Sequence, residues 1–166
     1  MVDRKLSLLS LALLGGILAG LALLQINFLF MPIALSILWG LSRYTLYAFI
    51  WGCCSIWVGH FWLLALHPLD WIGISSPVSF FITGSIWFLC GIFGGSLVLL
   101  WSLIGRIIRK LLFNRVEDDP FFSFPYVIFL SISWGIAEVF LSKSPLFWTG
   151  TGANLLPGDI WLAGIA

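Results

Sequence analysis

Charge is scarce in this chain: Lys, Arg, Asp and Glu make up 9 % of its 166 residues, against roughly 25 % in soluble domains. That scarcity excludes a water-soluble globular fold. The formal net charge of +1 excludes the electrostatic footprint of a nucleic-acid binder, and no nucleic-acid partner is expected. Histidine and cysteine are also few, with two and three copies. Cys53, Cys54 and Cys90 fall near the middle of apolar segments, where packing as small hydrophobes explains them. They form neither a disulfide framework nor a metal-ligand set, so no metal and no cofactor is expected. Glycine-rich phosphate loops of the Walker or dinucleotide type are missing. No Ser-His-Asp or Cys-His set can be assembled, because the cysteines lie away from the water such chemistry uses.

What is abundant is apolar surface: 61 % of residues are hydrophobic and 17 % aromatic. The expected fold is all-α, a polytopic transmembrane helix bundle of about five spans, each drawing on about 20 apolar residues. The spans are read at about 6–24, 26–41, 44–66, 79–104 and 121–141, with 155–166 the start of a further membrane or interfacial element. The first follows Asp3, Arg4 and Lys5 like a signal peptide, but is long for one and has no A-x-A-like site after it. The second is short and carries Pro32.

Cytoplasmic loops keep an excess of Lys and Arg. With the N-terminus cytoplasmic and all five segments crossing, Arg4, Lys5, Arg43, Arg106, Arg109, Lys110 and Arg115 lie inside and only Lys143 outside. A second segment that failed to cross would turn the Arg106 to Arg115 cluster outwards, so it is expected to span. Gly105 to Pro120 then reads as a solvated cytoplasmic loop, and His67 to Ser76 as an outer one, with His67 and Asp70 in a plain turn.

Small residues recur four apart at Gly16 and Gly20, Ser55 and Gly59, and Gly91 and Gly95, the spacing that lets membrane helices approach closely. Trp62, Trp71 and Trp148 fit an outer interfacial belt, and Trp39, Tyr44, Trp101 and Tyr126 an inner one.

Two ionisable residues stand out within spans. Glu138 lies three residues before the end of the fifth span, hence about 4–5 Å below the outer boundary, and His60 roughly 9 Å below the end of the third. An intramembrane acid is a functional candidate by default; the alternative is a helix-end carboxylate that snorkels or pairs. From these depths the two side chains are expected to approach each other. Glu138, His60, Lys143 and Trp148 form the candidate structural or substrate-positioning set, and no residue is assigned a catalytic role.

Three stretches carry a family resemblance: LLGGILAGLALL from Leu13 to Leu24, FIWGCCSIWVGHFWLLALHPLDWIG from Phe49 to Gly73, and SWGIAEVFLSKSPLFWTGTGANLLPGDIWLAGIA from Ser133 to Ala166. Together they resemble the N-terminal membrane part of apolipoprotein N-acyltransferase, particularly its cyanobacterial forms. The last is the most specific, a Trp- and Glu-containing helix followed by a Pro and Trp segment, a Gly-rich turn and another apolar element. The family commonly has an Arg three residues after the Glu, where this chain has Leu141, with Lys143 the nearest cation.

The resemblance implies an enzyme that moves an acyl chain from a membrane phospholipid to the α-amine of a lipidated lipoprotein, in the bacterial cytoplasmic (inner) membrane. In the family a nitrilase-like domain with a Glu, Lys and Cys triad does this chemistry, and that domain is not in the sequence. Glu138, Lys143 and the three cysteines belong to the membrane part and are not that triad. Ile160 to Ala166 adds about 10 Å of helix, too short to cross. The expectation is therefore a fragment, inactive by itself. The competing expectation is a small non-enzymatic membrane protein, a transporter subunit or scaffold. A transporter would place ionisable or broken-helix elements near midplane in repeated halves, and neither is legible here.

Overall fold

The computed structural model describes residues 2–27, 29–113 and 124–143. Regular structure among them is wholly helical: α1 Val2–Leu23, α2 Phe30–Leu41, α3 Thr45–Gly59, 3-10 turns at Phe61–Leu66 and Asp70–Ile72, α4 Ser76–Phe113 and α5 Phe124–Ser142. Proline stands in the first turn of three of them, as Pro32, Pro77 and Pro125. Its fixed φ suits a helix start, and its missing N–H would have had no intrahelical partner there. Three helical stretches are long and apolar enough to cross a membrane, Arg4–Leu23, Ser76–Leu111 and Phe124–Leu141, and Phe30–Leu41 and Thr45–Gly59 are shorter apolar helices. The chain is a helical membrane-bundle protein.

Several boundaries differ from the sequence expectation. Gln25 at φ 58 turns the chain after α1, and Asn27 Oδ1 accepts the Leu29 N–H at 2.9 Å, so α2 begins four residues later than the apolar run. Its 12 residues give about 18 Å of helix. The third segment is α-helical only to Gly59 and narrows into the 3-10 turn Phe61–Leu66. In the other direction, α4 continues through Arg106, Arg109 and Lys110 to Phe113, where the sequence reading put a loop. Its 38 residues make roughly 57 Å, well beyond the ~30 Å of a hydrocarbon core. Long cationic side chains at its end can reach headgroups without breaking the helix.

Helix α3 is central, packed between α1 and α4, and the four-apart glycines make this possible. A Cβ added at Gly16 would lie 2.5 Å from the Trp51 carbonyl oxygen and 2.6 Å from the Cys54 Cβ, and one at Gly20 would strike Val58. Across the other seam, a Cβ at Gly95 would lie 2.9 Å from the Phe49 carbonyl oxygen, and one at Gly91 would enter the Trp57 indole. Because Gly16 faces Trp51 while Leu23 faces Gly59, α1 and α3 run parallel. The Arg4 guanidinium donating to the Tyr44 hydroxyl at 2.9 Å ties their starts together. The chain returns between them through α2.

Buried hydroxyls find backbone acceptors: Ser102 Oγ donates to the Ser42 carbonyl at 2.5 Å, and Ser55 Oγ to the Gly52 carbonyl at 3.0 Å. The inner-belt expectation changes. Trp101 and Tyr126 are buried and Trp39 half-buried, and Trp39 meets Trp101 and Tyr126 edge-on at 6.4 and 6.0 Å. Edge-to-face aromatic pairs of this kind add about 0.5–1.5 kcal/mol each. Trp62 and Trp71, by contrast, are exposed, as an outer belt requires.

Candidate functional site

Helix α5 packs chiefly on α4, antiparallel to it and against its second half, with Tyr126 also meeting Trp39 of α2. Tyr126 and Leu130 face Gly105, Trp101 Nε1 donates to the Leu130 carbonyl at 3.0 Å, and the Trp101 and Trp134 rings meet edge-on at 5.4 Å. This offset sets the level of Glu138. Its carboxylate accepts a hydrogen bond from Trp134 Nε1 at 2.9 Å, one turn earlier on the same helix. It also borders a small cavity of about 80 Å³ with Leu97, Trp101, Ile104 and Leu141. A carboxylate held by an indole N–H inside an apolar wall can orient a neighbour or accept a proton.

Nearer the start of α4 lies a larger cavity of about 480 Å³, between the end of α3, the 3-10 turn and α4. Ile56, Leu63, Leu89, Cys90 and Phe93 line it together with His60 and the tip of α5 at Leu141. His60 comes here because α3 stops one residue earlier. At φ −110 and ψ 22 it leaves the helix while its N–H still bonds the Ile56 carbonyl at 2.8 Å. The imidazole is buried, packed near Trp62 at 6.4 Å, and its Nδ1 is enclosed without a hydrogen-bond partner. An enclosed polar atom left unpaired costs about 1–3 kcal/mol, so such atoms call for an explanation.

The expected approach of His60 to Glu138 does not occur among the described residues. Glu138 takes its indole donor from its own helix, and His60 sits at the level of Cys90 to Gly94 while Glu138 sits at that of Leu97 to Trp101. Roughly 10 Å of helix rise separates those turns, with Leu141 between the two cavities. The order of depth is the reverse of the sequence expectation, because hydropathy alone does not reveal how far α5 is slid along α4. Lys143 is exposed just beyond α5, its N–H on the Phe140 carbonyl at 3.3 Å. Trp148 lies outside the described residues.

One constellation escaped the sequence reading. Ser79 Oγ accepts the Leu69 N–H at 2.8 Å and lies 3.0 Å from His67 Nδ1, with the His67 ring edge-on to Phe80 at 5.9 Å. With one lone pair of Oγ taken by Leu69, its proton is free to donate to Nδ1. A Ser-His pair invites a nucleophile reading, but Ser79 is 0 % exposed and admits no substrate. It clasps the outer turn to α4. Asp70 Oδ1 accepts the Trp71 N–H at 3.0 Å and Gly73, at φ 80, closes the 3-10 turn, so His67 and Asp70 do occupy a turn. Among the described residues no three of His, Cys, Asp and Glu converge on one point.

Helices of this length and apolarity define a polytopic membrane protein, and the comparison with known proteins narrows the class. The chain is 46 % identical over 154 residues to an apolipoprotein N-acyltransferase of Prochlorococcus marinus strain SARG, a match covering 92 % of this chain and 30 % of the relative. It is 42 % identical over 164 residues to that of strain MIT 9313, covering 99 % of this chain and 32 % of the relative. The Parasynechococcus marenigrum protein of the same name is 42 % identical over 154 residues, with 93 % and 32 % covered. The chain belongs to the apolipoprotein N-acyltransferase family, and spans about 30 % of the length of these curated relatives. No family profile matches it, and neither does any solved structure.

Proposed function

We propose that the chain forms the lipid-facing membrane part of an apolipoprotein N-acyltransferase, working in the bacterial cytoplasmic membrane with its N-terminus inside and five crossings. The whole enzyme takes an acyl chain from a membrane phospholipid and passes it to the α-amine of a diacylglyceryl-cysteine on a lipoprotein. Both substrates are anchored in lipid, so a bundle that holds them within the bilayer replaces a three-dimensional encounter by positioning. The observation that carries this reading is the 42–46 % identity across nearly the whole chain. Three features support it further. The 480 Å³ apolar cavity falls within the roughly 300–1,000 Å³ of ligand pockets. The parallel α1 and α3 require a return through α2, as five alternating crossings do. Arg106, Arg109 and Lys110 of α4 gather at one end, as the positive-inside rule asks.

In this reading His60 and Glu138 position lipid or neighbouring helices and do not react, while Lys143 stands on the outer side near the headgroups. The test is a chimaera in which residues 1–166 replace the matching part of the Prochlorococcus marinus strain MIT 9313 protein. Expressed in bacteria depleted of their own acyltransferase, it is expected to restore triacylated N-terminal cysteine, read by mass spectrometry of a lipoprotein. A chimaera that inserts, accumulates and leaves the lipoprotein diacylated refutes the reading.

A further inference from the structure

Ser55, Ser102 and the indoles of Trp57, Trp87, Trp101 and Trp134 reach acceptors within the described helices. His60 is different. It is 8 % exposed, its Nδ1 has no partner, and it brings an imidazole to the wall of a cavity otherwise built from aliphatic, aromatic and sulfhydryl side chains. A neutral imidazole carries one N–H and one lone pair. Nδ1 is enclosed by protein, so we assign the N–H to Nε2 as the nitrogen left for a cavity occupant. A purely hydrocarbon occupant would satisfy the rest of the wall and leave that donor unused. A phosphate would bring a negative charge against a lining that holds no Lys or Arg, a burial that is strongly unfavourable.

We propose that His60 donates a hydrogen bond through Nε2 to the carbonyl oxygen of a fatty-acyl ester whose hydrocarbon chain fills the cavity between α3, its 3-10 extension and α4. An acyl ester has what this wall asks for, a long apolar body and one neutral oxygen acceptor at its end. The proposal rests on the membrane acyltransferase reading above. It makes His60 a positioning residue that discriminates esters from ethers.

Native mass spectrometry tests it on the 166-residue chain purified in detergent and incubated with equal amounts of dipalmitoyl phosphatidylcholine and its dihexadecyl ether analogue. The two lipids share chain length and headgroup, and only the ester has carbonyls. One neutral hydrogen bond corresponds to a preference of about fivefold for the ester. His60→Phe is expected to bring the ratio to about one, and His60→Gln, which keeps an N–H donor, to retain part of it. Equal retention of ester and ether by the unaltered chain overturns the proposal whatever the variants do, and so does an unchanged ratio in a helical H60F protein. Filling the cavity with Leu89→Trp is expected to lower retention of both lipids together. If it leaves both untouched, the cavity is not a lipid site and the broader reading loses its structural support. The ratio reports on His60, and the total on the cavity.

Discussion

Gly16 on α1 decides whether α1 can seat on α3, and replacing it separates packing from helix propensity. In an exposed helix interior, Gly→Ala stabilises by about 1 kcal/mol, because glycine is freer in the unfolded chain. At Gly16 the added methyl would sit 2.5 Å from the Trp51 carbonyl oxygen and 2.6 Å from the Cys54 Cβ. A helix carbonyl cannot swing aside as a side-chain tip can, so α1 must lift away along the seam. Overpacking of that kind costs about 1–3 kcal/mol and outweighs the propensity gain. Gly84 on α4 supplies the control, since nothing lies within 4 Å of a Cβ placed there. The propensity effect is common to both substitutions and cancels in their difference. Gly16→Ala is therefore expected to be less stable than Gly84→Ala by about 1–3 kcal/mol. Equilibrium unfolding in mixed micelles of increasing dodecyl sulfate, followed by far-UV circular dichroism, reads that difference. Equal midpoints and slopes for the two variants would refute the close approach of α1 to α3.

Two further outcomes follow from the outer turn and from the distribution of charge. Ser79→Ala removes the acceptor of the Leu69 N–H and the partner of His67 Nδ1; a loss of about 1–3 kcal/mol is expected in the same unfolding assay, with faster hydrogen exchange at the Leu69 amide than at Ile56. Undiminished protection at Leu69 would show that the clasp is not formed. In a background whose Cys53, Cys54 and Cys90 are replaced by Ala, Lys143→Cys is expected to react with a membrane-impermeant maleimide on intact cells, and Arg109→Cys only after lysis; the opposite pattern overturns the N-inside topology.

Hydropathy made the membrane helices legible because about 20 apolar residues in a row have few other uses. The four-apart glycines were legible for a similar reason, as the spacing serves backbone approach on one helix face, and Gly16, Gly20, Gly91 and Gly95 all lie against a neighbouring helix. Aromatic residues were harder. A belt and a core draw on the same residue types, so Trp101 and Tyr126 looked interfacial although they are buried against Leu130 and Gly105. The Ser79 clasp was invisible because its partners are 10 and 12 residues away across a turn with no regular period. His60 was conspicuous in sequence, yet its surroundings depend on where α3 gives way to the 3-10 turn, and element ends are the least legible part of a helix pattern.

Glu138 shows what such an error of placement does to a functional argument. Counting back from the apparent end of its span put the acid close to water, where an exposed carboxylate needs no special partner. Slid along α4 to the level of Leu97 and Trp101, it is half-buried and takes an indole N–H from Trp134. The same residue then carries a larger desolvation cost and needs its donors. Trp134 meets that need from four residues away, on the face that also meets Trp101 edge-on. Glu138, Trp134, Trp101 and the Leu130 carbonyl thus form one continuous strip of the α4–α5 seam. We infer that Glu138 bears first on how α5 sits on α4, because its indole partner is the ring that meets Trp101. Through Leu141, which borders both cavities, that seating also sets the wall of the space that His60 faces.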